Sequence, residues 1–216
     1  MLQRLICLVI GYACGLIQTS YFIGRAHHID IREVGSGNAG STNTLRTFGK
    51  KAGFFNLFCD MLKCVVAVLI VRAIFSRGSG SQILPLLSLY ASAGCILGHN
   101  FPFYLNFRGG KGMATSAGMV LAVDWRIFLI IAPIFIGLFL ITHYVSLSAL
   151  LTYVVTFLLI VLFGALGLYH MALPYVIEMD VLFGLLMLLG FFQHRENLKR
   201  LRSGTERKTY LNKTKK

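Results

Sequence analysis

The chain has 216 residues, of which 56% are hydrophobic and only 13% charged. A soluble domain carries about 25% charged residues, so this deficit and the long apolar runs exclude a soluble globule and imply one compact polytopic membrane domain. The formal net charge is +13, but a basic tail that follows directly on an apolar span reads as a juxtamembrane segment facing anionic lipid rather than as a nucleic-acid-binding arm.

A crossing needs about 20 apolar residues. Leu5 to Ile23 is the first candidate; Gln18-Thr19-Ser20 interrupts it and no small-residue cleavage site follows, so it reads as a span and not a signal peptide. Residues Gly24 to Lys51 form a polar, glycine-rich loop. Phe54 to Phe75 is the second span, carrying Asp60, Lys63 and Arg72; Asp60 and Lys63 stand one turn apart and pair to lower the cost of burial. A Gly/Ser turn at Ser76 to Ser81 leads into the third span, Ile83 to Leu105, with His99 and Asn100 near its far end. After the loop Asn106 to Gly112 come two shorter apolar pieces, Met113 to Val123 and Ile127 to Thr142, around Asp124-Trp125-Arg126. A short polar loop, His143 to Ser148, precedes the last spans, Ala149 to Tyr169 and Val176 to Phe192. The five cysteines, Cys7, Cys14, Cys59, Cys64 and Cys95, sit in these apolar runs without a Cys-x-x-Cys pair, and read as small buried hydrophobes rather than disulfides or metal ligands.

The loop at 24–51, the loop at 106–112 and the tail from His194 hold sixteen of the 21 Lys/Arg residues. The positive-inside rule makes these segments cytoplasmic. The N-terminus then lies outside and the C-terminus inside, and the number of crossings is odd. The expected fold is an all-α membrane bundle of seven transmembrane helices, with five plus a re-entrant hairpin at 113–142 as the alternative. Residues 1–204 form a single transmembrane catalytic domain and 205–216 a basic cytoplasmic tail.

Three polar segments thus share one face. The most telling is Gly109-Gly110-Lys111-Gly112-Met113-Ala114-Thr115, a glycine turn, a fixed cation and a hydroxyl at the head of an apolar segment. Backbone N–H groups freed by glycine, helped by a helix N-terminus, make a cradle for phosphate oxygens. The plainer reading is a turn with an interfacial lysine, and likeness to a Walker A loop is loose, because the four-residue spacer and the Lys-Ser/Thr pair are missing. The second segment, Gly35-Ser36-Gly37-Asn38-Ala39-Gly40-Ser41-Thr42-Asn43-Thr44-Leu45-Arg46, offers hydroxyl and amide donors and a guanidinium that clamps an oxyanion with two donors at once. The third runs from His194 to Glu206 as a continuation of the last span, with His194, Asn197 and Leu201 on one face and Arg195 and Arg202 on another; a lipid-surface helix ended by Gly204 is its plainer reading. Ser146 and Ser148 are weaker candidates.

Absences narrow the chemistry. There is no His-x-x-x-x-Asp pattern, no Gly-x-Ser-x-Gly nucleophile elbow, and no aspartate cluster for a divalent metal. Many anion donors without a positioned carboxylate base suit substrates that bring their own phosphates. Acyl transfer from an activated anhydride needs no protein nucleophile, and positioning with oxyanion stabilisation suffices.

With their order and spacing, the segments Asp30 to Gly53, Gly98 to Thr115, Tyr144-Val145-Ser146-Leu147-Ser148 and His194 to Glu206 resemble the bacterial acyl-phosphate–glycerol-3-phosphate acyltransferase family over almost the whole chain. The resemblance implies a seven-helix enzyme of the bacterial inner membrane with its active site facing the cytoplasm. It implies transfer of a fatty acyl group from acyl phosphate to sn-glycerol 3-phosphate, giving lysophosphatidic acid and phosphate. It further implies no cofactor, no metal, no nucleic-acid partner, contact with membrane lipid, and coupling to a soluble acyltransferase that forms the acyl phosphate. Carried over residue by residue, the catalytic set is Ser36, Arg46, Lys111, His194 and Asn197. The phosphate-binding set is Thr42, Asn43, Gly109, Gly110, Gly112, Ala114, Thr115, Ser146 and Arg195. Glu206 matches the third motif, and a substrate phosphate takes the role of base. Ala39, Ser41 and Cys64 depart from the usual residues at positions that concern loop shape and helix packing. An organic-phosphate transporter is the rival, disfavoured by the absence of an internal repeat and by polar motifs confined to one face. A membrane scaffold would lose function on removal of the tail after Gly204, whereas an enzyme keeps most of it unless Glu206 matters.

Overall fold

The computed structural model describes residues 1–210, so residues 211–216 of the basic tail lie outside the described residues. The described chain is helical throughout: α1 (Leu2–Gly15), α2 (Thr19–Ala26), α3 (Ser41–Phe48), α4 (Lys50–Phe75), α5 (Leu84–Asn100), α6 (Met113–Val123), α7 (Trp125–Thr142), α8 (Val145–Ala165), α9 (Leu173–Gln193) and α10 (Arg195–Arg202). Six segments are long and apolar enough to cross a membrane, namely Leu2–Ala26, Lys50–Phe75, Gly80–Leu105, Trp125–Thr142, Val145–Ala165 and Leu173–Gln193. The eleven-residue α6 is apolar but shorter than these. Exposed Leu129, Ile130, Leu158, Leu162, Leu185 and Leu188 leave the outer faces of α7, α8 and α9 apolar, as lipid contact requires.

Three boundaries differ from the sequence reading. The first span is broken between α1 and α2, where fully buried Gln18 turns inward and its Nε2 donates to the His99 carbonyl at 2.9 Å. The expected loop at 143–148 shrinks, because α8 starts at Val145. The polar loop at 24–51 contains the short helix α3, whose Leu45 packs on Gly53 of α4 so closely that a Cβ there would lie 2.4 Å from the Leu45 Cβ.

Helix ends follow ordinary capping chemistry. Asp124 accepts the Arg126 N–H at 3.0 Å to start α7, and prolines stand in the first turns of α5 and α9. Glycines set how near α1 and α5 approach. A Cβ on Gly11 would lie 1.8 Å from the Ala91 carbonyl oxygen, and one on Gly94 would lie 2.1 Å from that of Leu8. Gly11 and Gly15 on one helix and Gly94 and Gly98 on the other form two small-xxx-small stripes that let the backbones touch.

The expected Asp60–Lys63 pair is present, with Nζ 2.9 Å from Oδ1 and side chains only 3% and 2% exposed. The Lys63 ammonium also donates to the Ile17 carbonyl at 2.8 Å and contacts His99 Nδ1 at 2.7 Å. An ammonium has no lone pair, so Nδ1 is the acceptor there and the ring proton sits on Nε2. Removing one partner of a buried pair leaves an uncompensated charge. Lys63→Met is therefore expected to lower stability by about 3–5 kcal/mol, measured as a drop in the unfolding midpoint in detergent, and Asp60→Asn added to it restores part of the loss. A midpoint unchanged in Lys63→Met would show that the pair is not stabilising.

Candidate active site

The three polar segments meet at one end of the bundle around a single cavity of about 660 Å³. Its polar mouth is lined by Ser36, Thr42, Arg46, Lys111, Ser146, His194, Asn197, Arg200, Glu206 and Arg207, among others. Its apolar wall descends between α4, α6, α7, α8 and α9.

The first loop is held open by its own hydrogen bonds. Asn43 is buried; its Oδ1 accepts the Ser36 N–H at 2.8 Å, and its Nδ2 donates to the Ile31 and Val34 carbonyls at 3.0 and 2.9 Å. An amide so engaged shapes the loop, leaving phosphate contact to its neighbours. Ser36 is exposed at the cavity and its hydroxyl has no partner among the described residues. Arg32 pairs with Asp30 and donates to the Leu105 carbonyl at 3.0 Å, tying this loop to the second one.

In the second loop the glycines do a different job from the one the pattern suggests. The Gly109 and Gly110 N–H groups donate to the Asn100 and His99 carbonyls, each at 3.1 Å, so they close the end of α5 and are not free for an anion. A Cβ on Gly109 would lie 2.0 Å from the His99 carbonyl oxygen and one on Gly110 would lie 2.1 Å from His99 Nε2; close packing demands glycine at both. Neither residue lines the cavity, nor does Thr115, which is fully buried with an unpartnered hydroxyl. Gly112, at φ 80°, is the left-handed N-cap of α6 and does line it, with Lys111 and Ala114. The free N–H groups of this segment lie instead at the start of α6, where the first four have no intrahelical partner and the helix dipole adds positive potential.

Lys111 Nζ donates to Asn197 Oδ1 in a short hydrogen bond. Burial, then the nearby Arg200 guanidinium, push the Lys111 ammonium down to about 8. Asn197 Nδ2 donates to Glu206 Oε1 at 2.6 Å, Ser146 Oγ donates to the same oxygen at 2.9 Å, and Arg200 Nε donates to Oε2 at 2.8 Å. Burial alone would raise the Glu206 carboxyl; these three hydrogen bonds outweigh it and hold it below the ordinary carboxylate range. His194 is 5% exposed. Its Nδ1 stands 2.8 Å from the Gly190 carbonyl oxygen, which can only accept, so Nδ1 carries the proton and Nε2 presents a lone pair. Burial, then the Lys111 charge, hold this ring down at about 4, so it is neutral at physiological pH.

The site has a third wall that the spacing of motifs did not show. Residues 205–210 fold back after Gly204, which sits at φ 70°. Arg207 donates to the Gly35 carbonyl at 3.0 Å, Arg46 donates to Thr209 Oγ1 at 2.6 Å and to the Arg207 carbonyl at 3.2 Å, and the Thr209 N–H donates to the His143 carbonyl at 2.9 Å. Burial, then the Arg207 charge, lower the Arg46 guanidinium. Arg195 does not join them: it is exposed, lies over the Phe192 ring at 4.4 Å, and donates to the Phe192 carbonyl at 3.1 Å. Arg200 and Arg207 line the cavity, and Arg195 does not. Among the described residues no group of three His, Cys, Asp or Glu side chains is placed to hold a metal ion.

A sequence model of the family described as Glycerol-3-phosphate acyltransferase matches residues 5–204. Proteins of that name are 38% identical in Macrococcus caseolyticus, over 98% of this chain and all of the relative, and 42% identical in Clostridioides difficile, over 94% of each. The crystal structure of PlsY (YgiH), an integral membrane glycerol 3-phosphate acyltransferase in its glycerol 3-phosphate form, superposes with a TM-score of 0.80 at 31% identity, over 96% of both chains. Its lysophosphatidic acid form gives 0.78, also at 31% identity and over 96% of both chains.

Proposed function

From the premise that the chain belongs to the glycerol-3-phosphate acyltransferase family, and is an acyltransferase built into the membrane by several apolar helices, we propose that it moves a fatty acyl group from acyl phosphate to the hydroxyl of sn-glycerol 3-phosphate. The products are lysophosphatidic acid and inorganic phosphate. The observation that carries this reading is one cavity with two characters, a mouth ringed by Lys111, Arg46, Arg200 and Arg207 and a deep apolar wall. That combination fits two anionic phosphates above one acyl chain.

The chemistry follows from what each group can donate or accept. The start of α6 and Lys111 hold the donor phosphate and absorb the charge it gains on leaving. Arg46, Arg207 and Ser36 receive the acceptor's phosphate. The lone pair on His194 Nε2 accepts a hydrogen bond from the acceptor's second, non-reacting hydroxyl and so aims the attacking oxygen at the acyl carbon. A ring that titrates at about 4 is a poor proton sink at neutral pH, whereas a phosphate monoester has a second pKa of about 6. The hydroxyl proton therefore passes to a substrate phosphate as the new ester bond forms. The acyl–phosphate C–O bond then breaks, and the pair of electrons leaves with phosphate. Glu206 acts from behind, fixing Asn197 and Ser146 through hydrogen bonds.

This assignment sets the pH dependence. The acid limb of kcat/KM falls near pH 6, as the phosphate base protonates. The alkaline limb falls near pH 8: Lys111 titrates at about 8 in the free site, below the usual 10.5, so the cation is present below that pH and lost as pH rises through it. His194 adds no limb between pH 5 and 9. Lys111→Arg is expected to abolish the alkaline limb below pH 9 in its residual activity, because arginine stays charged; a limb retained at pH 8 would assign it elsewhere.

The bundle crosses the bacterial inner membrane seven times, α6 included, with the N-terminus outside and the cavity mouth in the cytoplasm. Residues 1–204 hold the catalytic framework, and a soluble enzyme that forms acyl phosphate supplies the donor. The decisive experiment offers purified protein acyl phosphate and acyl-CoA in parallel with glycerol 3-phosphate. Lysophosphatidic acid formed from acyl phosphate alone is the expected result; equal use of acyl-CoA, or no product from either, overturns the reading.

A further inference from the structure

The cavity reaches a similar depth along α6, α8 and α9. On α6 its lining runs from Gly112 down to Val120, on α8 from Ser146 to Thr156, and on α9 from His194 to Phe183. At about 1.5 Å per residue these reach ~12, ~15 and ~16 Å below the polar mouth. Directly beyond lies a second, much smaller cavity of about 10 Å³, lined by Val123 of α6, Ile127 of α7 and Ile160 of α8, each within four residues of the last residue of the first cavity on its helix. Met119, Val120 and Phe183 line both cavities and form the partition between them.

The partition is built firmly. Phe183 is fully buried, Met119 is 1% exposed and Val120 is 6% exposed. The Phe183 ring stacks on that of Phe157 at 6.3 Å between centroids and 11° between planes. Behind it the small cavity is bordered mainly by apolar side chains, with Asp124 and Tyr169 at its edge. A methyl end that reached the partition would find room for no further methylene, since the space beyond is only about 10 Å³.

We infer that Phe183, with Met119 and Val120, is the floor that sets the length of the acyl chain this enzyme accepts. The inference rests on the acyl-phosphate reading above and adds the residues that measure the chain. A hydrophobic pocket discriminates one methylene by roughly 10–200-fold, so moving the floor by a ring or a few methylenes shifts the preferred length by two or more carbons.

The test compares wild type with Phe183→Leu, Phe183→Ala and Val120→Phe, all purified, using saturated acyl phosphates of 12 to 18 carbons with glycerol 3-phosphate. Removing the ring is expected to raise the ratio of kcat/KM for the longest donor over a mid-length donor at least tenfold, more in Phe183→Ala than in Phe183→Leu. Val120→Phe, which raises the floor, is expected to move the ratio tenfold the other way. If Phe183→Ala does not fold, Phe183→Leu and Val120→Phe decide the matter alone. An unchanged length profile in active variants overturns the floor and leaves the acyl-phosphate reading standing. Failure of the wild type to use an acyl phosphate of any length overturns that reading first, and is distinguished by the wild-type arm.

Discussion

Lys111→Ala is expected to lower kcat/KM for acyl phosphate by at least 10²–10³-fold while the protein still inserts in the membrane and extracts as a folded species. The lower bound is what loss of one donor aimed at developing charge removes in acyl transfer. Lys111 does more than one donor does. It is the cation at the head of α6, in the proposed reaction beside the leaving phosphate, and its hydrogen bond to Asn197 Oδ1 links it to the group that Glu206 steadies. Its side chain is also the strongest local pressure after burial on the His194 ring, so its loss changes the environment of the group that orients the acceptor. Lys111→Arg keeps the charge but not the geometry: a planar fork replaces a point charge on a flexible stem, and little activity is expected to return. A double-mutant cycle of Lys111→Ala with Asn197→Ala measures how far the two act as one unit; combined loss close to that of Lys111→Ala alone is expected, as for residues in contact. Turnover by Lys111→Ala within threefold of wild type would end the assignment.

Much of this arrangement is legible in the residues because membranes impose simple rules. Apolar length places the long helices, and clustered Lys and Arg place the polar loops on one face. The Asp60–Lys63 pair is visible because both lie on one helix three residues apart; its third member, His99, comes from another helix, and no local spacing reveals it. The glycine turn shows where two backbones approach, but not which one needs the room. Its first two N–H groups close α5, and the free N–H groups begin two residues on, at the left-handed Gly112. The third motif holds several arginines, and helical spacing alone leaves open which face looks inward. Arg200 stands three residues from Asn197, as Asn197 stands three from His194, so the signal for the cavity-facing set was present at one-turn steps. Arg195 instead turns out toward Phe192. The paired small-residue stripes at Gly11–Gly15 and Gly94–Gly98 were equally open to reading, and they explain how α1 and α5 pack without bulky side chains.

A stop codon after Gly204 is expected to reduce activity at least 10²-fold, and one after Tyr210 to leave it within about twofold of wild type. The two proteins differ by six residues. Those six residues carry Glu206, Arg207 and Thr209, and with them every strap contact to the Gly35 carbonyl, Arg46, Ser146, Asn197 and the His143 carbonyl. Without Glu206, Asn197 and Ser146 lose the acceptor that fixes them. Misplacement of a positioning group by about 1 Å can cost about 10²-fold in rate. The half-buried Arg46 would also lose its Thr209 and Arg207 partners. The outcome separates two kinds of tail. A basic segment that only holds the protein to anionic lipid acts through its charge, so removing three further lysines, at 213, 215 and 216, would weaken it too. A segment that completes the site acts through geometry and tolerates their loss. Glu206→Gln refines the test within the full-length chain. The amide keeps an oxygen for Asn197 and Ser146 but gives up the charge paired with Arg200 at 2.8 Å. It is expected to lower kcat more than it raises KM for glycerol 3-phosphate, because the carboxylate positions groups and does not itself hold a phosphate. Full activity after the stop at Gly204 would show that the strap merely rests on the site, and the catalytic unit would then close at α10.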